Sequence, residues 1–154
     1  LQATDTVSTE EFFSTDDLLE KMRTQLQQFP EAVVIHSAAV GDFKRKEISS
    51  GKISSGNSIT LELFPTAKIL DQIKNWAPKC FLVSFKAAPP DTTLEQLLSI
   101  AKAQAKRTQS DIVFANIIGK IQEECILIES TKHTICNTRI EALDLLSKKI
   151  NFGS

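Results

Sequence analysis

Residues 80–116, C-F-L-V-S-F-K-A-A-P-P-D-T-T-L-E-Q-L-L-S-I-A-K-A-Q-A-K-R-T-Q-S-D-I-V-F-A-N, decide the fold class of this chain. Cys80 to Phe85 and Asp111 to Ala115 are short, nearly all-apolar runs, the mark of strands covered on both faces. Between them, Thr92 with Glu95 forms a capping-box pattern that opens a helix through Leu97, Leu98, Ile100, Ala101 and Ala105. A strand, a helix and a second strand joined by short connections predict a parallel pair with the helix crossing over it.

The same alternation extends upstream. Ser14 with Asp17 caps an expected helix carrying Leu18, Leu19, Met22 and Leu26, and Pro30 closes it. Residues 31–36 read as a buried strand. The loop over 37–57, rich in serine and glycine, is expected to be exposed. Ser58 to Phe64 alternates, with Ile59, Leu61 and Leu63 on one face, and predicts a half-buried flap or edge strand. Thr66 is placed to cap a helix bearing Ile69, Leu70 and Ile73, ending near Trp76 and Pro78. Downstream, residues 125–128 and roughly 133–136 predict a hairpin. Thr138 with Glu141 caps a last helix bearing Ile140, Leu143, Leu146 and Ile150. The expectation is an α/β, Rossmann-like three-layer domain over residues 1–154, with a mainly parallel sheet, a flap strand and a C-terminal hairpin and helix.

Composition narrows the function classes. The chain has 154 residues with 18 basic and 19 acidic side chains, a net charge of -1. That balance gives no general case for nucleic acid or a membrane surface as a partner, so any cationic site must be local. No apolar run approaches the roughly 20 residues of a membrane helix, and no secretory leader is seen. Cys80, Cys125 and Cys136 are widely spaced, lack a C-x-x-C pattern, and predict buried reduced thiols in a cytoplasmic protein. The first residue is Leu1 rather than Met, so the chain is expected to begin inside a longer product.

The chemistry-bearing stretch runs from Ile35 to Ser55. An apolar strand leads into the small residues Ser37, Ala38 and Ala39, which let a flat ligand approach the backbone. Asp42 follows, an acid that could hold ribose hydroxyls or serve as an ordinary turn residue. Lys44, Arg45, Lys46 and Lys52 lie on the loop beyond, where lysines could reach phosphates or simply be solvated. Phe85 at a strand end is either core or pocket wall. Asn116, directly after D-I-V-F-A, could offer its amide to a ligand or satisfy loop backbone. His36 reads as a packed strand-end histidine. There is no G-x-G-x-x-G, no P-loop, no H-E-x-x-H and no G-x-S-x-G, so nicotinamide, zinc and serine-hydrolase chemistry lack a signature, and no metal ligands are assigned.

Taken in order, H-S-A-A-V-G-D-F at 36–43, G-K-I-S-S at 51–55, F-P-T-A-K-I-L at 64–70, N-W-A-P-K-C-F-L-V-S-F-K at 75–86 and D-I-V-F-A-N at 111–116 resemble the phosphopantothenoylcysteine synthetase family of coenzyme A biosynthesis. The W-A-P-K and S-F-K wording is similar to its monofunctional, eukaryotic-type branch. The resemblance implies a ligase: the carboxylate of 4′-phosphopantothenate attacks the α-phosphate of ATP or CTP, pyrophosphate leaves, and cysteine's amine displaces the nucleotide from the acyl-nucleotide. Mg2+ would accompany the triphosphate. It further implies that Ser37, Ala38 and Ala39 line the base or ribose, and that Asp42 holds the ribose. Lys52 would reach the phosphates and steady charge at the anhydride, with Ser54 and Ser55 as weaker phosphate contacts. Thr66, Ala67, Lys68, Ile69 and Phe85 would close the base pocket, Asn116 could meet substrate, and the chain would form a homodimer through the flap at 52–64.

The chain departs from the family at several points. Ala87, Ala88, Pro89 and Pro90 stand where an acidic Leu-Glu-Thr or Ala-Glu-Thr is usual. Gln104 and Thr108 stand where bifunctional bacterial members place two lysines near the nucleotide, with Lys106 and Arg107 adjacent. Nothing matches the family's opening Gly-rich segment. The alternative is a nonenzymatic regulatory or assembly module of the same fold that binds nucleotide.

Overall fold

The computed structural model describes residues 7–45, 56, 58, 60–120, 122–130 and 132–151. A five-stranded sheet in the order β1-β4-β5-β6-β7 forms its centre. The strands are β1 (Val33–His36), β4 (Phe81–Ala88), β5 (Ile112–Ile117), β6 (Cys125–Glu129) and β7 (Lys132–Cys136). β1, β4 and β5 are parallel, β6 runs against β5, and β7 runs against β6, so β6 alone points the other way. A separate antiparallel ribbon pairs β2 (Phe43–Arg45) with β3 (Leu63–Pro65). The helices are α1 (Thr15–Gln28), the single turn α2 (Ile73–Trp76), α3 (Leu94–Thr108) and α4 (Arg139–Asn151).

The strand pleat sorts the helices into layers. Ser84 of β4 accepts a hydrogen bond from Gln104 of α3, and Leu82, on the same face, packs with Leu26 of α1 and Ile73 of α2. Val83, Ile112 and Phe114 face the other way, onto Ala142 and Leu146 of α4. α1, α2 and α3 therefore cover one side of the sheet and α4 the other, a three-layer α/β arrangement with a mostly parallel sheet, as the alternation of elements predicts.

Capping explains where the helices start. Ser14 Oγ accepts from Asp17 N at 3.1 Å, and the Asp17 carboxylate accepts from Phe13 N at 3.0 Å. α4 begins the same way, with Glu141 N donating to Thr138 Oγ1 at 3.1 Å. In α3 the reciprocal box is made by Thr93 and Gln96, one residue beyond the Thr92–Glu95 pair expected from the sequence. Its last residue is followed by Gln109 at φ 54, where the left-handed conformation ends the helix.

Three expectations are corrected. β1 is not a buried strand: it is a sheet edge, and Val33 and Ile35 are 43% and 52% exposed because α4 does not extend over them. Of the expected strand over 58–64, the described strand is Leu63–Pro65, exposed and paired with the three residues of β2. Thr66 does not cap a helix. A 3-10 turn at Ile69–Asp71 and α2 follow it without a side-chain cap, and the Thr66 hydroxyl donates to Gly41 O instead. The three cysteines are free and buried, and burial raises each thiol's pKa.

Candidate functional site

A mismatch in strand length makes the site. β1 ends at His36, opposite Ser84, while β4 continues through Phe85 to Ala88 against β5 alone. The missing neighbour leaves a notch at the carboxyl ends of the strands, the position at which open α/β sheets place their ligands. A cavity of about 280 Å³ fills it.

Its floor comes from the chain leaving β1, residues 36–42. One wall is Phe85, Lys86 and Ala87 of the β4 overhang; another is Thr66, Ala67, Lys68 and Leu70; Gln104 and Arg107 of α3 close the side. Two bonds hold the floor to the second wall: Thr66 N donates to Asp42 O at 2.9 Å, and the Thr66 hydroxyl to Gly41 O. Phe85 stacks on Phe114 with centroids 5.1 Å apart, so one ring face is fixed by the core while the residue still lines the cavity. Beneath, Gln104 Nε2 donates to Ser84 Oγ at 3.0 Å and Phe85 O at 3.2 Å, and Ser110 Oγ reaches Ser84 Oγ at 2.8 Å. This buried network locks α3 to β4 behind the cavity wall.

The cavity's charge differs from that of the whole chain. Lys68, Lys86 and Arg107 line it against one carboxylate among the described residues, Asp42. His36 is 9% exposed, and burial holds its pKa below the ordinary 6.5, favouring the neutral ring. Such a lining suits an anion bearing a flat, partly apolar group. No group of three or more metal-ligating side chains occurs among the described residues. Mg2+ is commonly held through one or two carboxylates plus substrate phosphates, and Asp42 is the carboxylate available for that.

Of the residues singled out in the sequence, Ser37, Ala38, Ala39, Asp42, Thr66, Ala67, Lys68 and Phe85 all line this one cavity. Ile69 does not: it is 1% exposed and packs inward, and Leu70 lines the wall in its place. Asn116 is buried within β5 beside Ala87, outside the cavity lining, with its amide 3.5 Å from Ile117 O. Lys52, Ser54 and Ser55 lie outside the described residues. Lys44 is tied to Asp16 at the start of α1 at 2.9 Å. Lys86 was not singled out in the sequence, and Gln104 and Arg107 were met there only as departures from the family's lysines. The available signal was helical spacing, since positions 104 and 107 share a face of α3.

Comparison with known proteins identifies the family. The family described as DNA/pantothenate metabolism flavoprotein C-terminal domain matches residues 1–151. The coenzyme A biosynthesis bifunctional protein CoaBC of Thermococcus kodakarensis is 39% identical over 120 residues, 75% of this chain and 29% of that protein. Phosphopantothenate–cysteine ligase of Mus musculus is 33% identical over 102 residues, 64% of this chain and 32% of the ligase. The chain thus spans about a third of these relatives' length, and the identities do not single out the monofunctional branch. The crystal structure of the DNA/pantothenate metabolism flavoprotein from Streptococcus pneumoniae superposes with a TM-score of 0.81 at 29% identity, covering 96% of this chain and 73% of that one. Fold, cavity and these matches together establish that the chain belongs to the DNA/pantothenate metabolism flavoprotein C-terminal domain family, the phosphopantothenoylcysteine synthetase family of coenzyme A biosynthesis.

Proposed function

We propose that this chain, a single domain over residues 1–154 within a longer polypeptide, supplies the nucleotide-holding part of a ligase that joins 4′-phosphopantothenate to cysteine. The observation that carries the reading is convergence. Segments separated in sequence, 37–42, 66–68 and Phe85, line one cationic cavity at the strand ends. A carboxylate is a poor acylating agent because oxide is a poor leaving group. Transfer to the α-phosphate of ATP or CTP makes a mixed anhydride from which a nucleotide can leave.

The work left to the protein is positioning and charge neutralisation. The small residues Ala38 and Ala39 admit the base or ribose, Asp42 orients ribose hydroxyls, and Phe85 presents an apolar wall. Lys52, by the family resemblance, reaches the phosphates, where its compact ammonium offsets developing negative charge. Mg2+, where bound with the triphosphate, would share its charge, and Asp42 would be the cavity carboxylate to hold it. Asn116, 6% exposed in β5, is a candidate substrate contact. The chain forms a homodimer in this reading, through the flap at 52–64, whose Leu61 and Leu63 are 67% and 55% exposed. A cytoplasmic setting suits its three free thiols, and no helix among the described residues is long and apolar enough to cross a membrane.

The test is pyrophosphate release by the complete polypeptide with 4′-phosphopantothenate and ATP or CTP, followed by addition of cysteine. Release before cysteine is added identifies the first half-reaction, and silence with both triphosphates refutes the ligase assignment. Lys52→Ala is expected to lower turnover on the order of 100-fold. Unchanged turnover removes Lys52 from the mechanism.

A further inference from the structure

We propose that Arg107 is a phosphate-contacting residue of the cavity, acting with Lys68 and Lys86 so that the frame grips a triphosphate independently of the loop that carries Lys52. This rests on the nucleotide reading above and adds a group that the sequence motifs do not contain. The three cations come from separate elements: the segment before the 3-10 turn, the β4 overhang and the last turn of α3. Elsewhere, many basic side chains are committed to neighbours, as Lys21 is to Asp17, Arg23 to Glu20 and Lys79 to Glu31. Lys68 and Lys86 have no ion-pair partner among the described residues. Arg107 has one, Asp71, the last residue of the 3-10 turn.

That pair is the informative feature. Asp71 follows Lys68 and Leu70 of the cavity wall, so its bond to Arg107 fixes the guanidinium on the cavity rim. One carboxylate oxygen occupies only part of a guanidinium's donor fork, and the remaining N–H groups match the geometry of a phosphate. A rigidly held arginine loses less freedom on binding than a free lysine does. The competing role is a structural clasp at the α3 carboxyl terminus, where a cation also offsets the helix dipole. The two roles differ in outcome: a clasp changes stability irrespective of ligand, whereas a phosphate contact discriminates between ligands by phosphate number.

Calorimetric titration of the full chain, Arg107→Ala and Arg107→Lys with nucleoside, monophosphate and triphosphate, in adenosine and cytidine series, separates them when paired with urea unfolding. The parent is expected to bind triphosphate more tightly than nucleoside. Arg107→Ala should weaken triphosphate binding on the order of tenfold while leaving nucleoside affinity unchanged, and Arg107→Lys should restore part of the loss. Equal weakening of both ligands, or lowered stability with unaltered triphosphate affinity, overturns the proposal. Failure of the parent to bind any nucleotide removes the nucleotide reading itself, and this proposal with it.

Discussion

The two ends of β4 and β5 use the same kinds of side chain for opposite purposes. At the amino ends, Lys74 is 12% exposed and donates to Asp111 Oδ2 at 2.7 Å and to Cys80 O at 2.6 Å. Asp111 Oδ2 also accepts from Leu82 N at 2.7 Å, while Asp111 N donates to Leu82 O. The charge there is consumed in fastening α2 and the strand starts together. At the carboxyl ends, Lys68 and Lys86 face a cavity and Arg107 is only half committed. A charged group closed on every side by protein partners contributes architecture; one with unused donors beside a concavity is available to a ligand. The same contrast shows in β1, whose His36 end borders the cavity while no described strand pairs with its outer edge.

The largest test of this contrast is Asp111→Ala. It strands the Lys74 ammonium in a mostly enclosed place and leaves Leu82 N without its acceptor. Removing one member of a buried pair costs several kcal/mol, but Asp111 is 37% exposed, so the expected loss is reduced to about 2 kcal/mol. Urea unfolding measures it, and nucleotide affinity of the folded variant should match the parent. Lost affinity with intact stability would mean that the two ends are not functionally separate.

Gln104 bridges the two kinds of role and gives a smaller effect. Its amide is in the Ser84 network, yet it also lines the cavity. Gln104→Ala removes bonds to Ser84 Oγ and Phe85 O and is expected to lower stability by about 1 kcal/mol. The Phe85 wall should loosen with it, and a modest decrease in triphosphate affinity, read by the same calorimetry, would show that the network supports the site. A stability loss with no change in binding would assign Gln104 to the amino-end kind of role.

The sequence revealed the frame more fully than the site, for a physical reason. Strand and helix type depend on local periodicity and caps, which is why Cys80–Phe85, the Ser14 and Thr138 caps and the 125–136 hairpin were readable in place. Coverage depends on distant layers, so the exposure of Ile35 and the shortening of the 58–64 strand were not. The floor was legible because its residues adjoin a strand end, while Thr66, Ala67, Lys68 and Phe85 of the walls came from the family resemblance. Arg107 was legible only as a cation near the bacterial lysine positions; its place on the cavity rim depends on how α3 packs beside the 3-10 turn, a tertiary relation. Ile69 was misread by one position because the turn after Lys68 is 3-10 rather than α, which rotates the neighbouring side chains.

His36 gives the finest test, because it sits in the strand and in the cavity at once. Burial keeps its ring neutral by lowering its pKa from the ordinary 6.5. The unfolded chain therefore takes up this proton before the folded one does as the pH falls. Between the two pKa values the unfolded state holds more protons, so the His36 contribution to stability is present above 6.5 and is lost as the pH falls through the folded value. His36→Gln should remove that component, so the difference in unfolding free energy between parent and variant stays flat at neutral pH and shifts in the variant's favour on acidification. A bound triphosphate would act in the opposite direction, since nearby negative charge favours the imidazolium and raises its pKa. The terminal phosphate also takes up a proton in this range, so the reading is the difference between parent and His36→Gln with the same ligand: triphosphate affinity of the parent should gain on that of the variant as the pH falls, and nucleoside affinity should not. Parallel triphosphate profiles for parent and variant would place the phosphates away from β1, leaving the cationic rim at the strand ends without its proposed occupant.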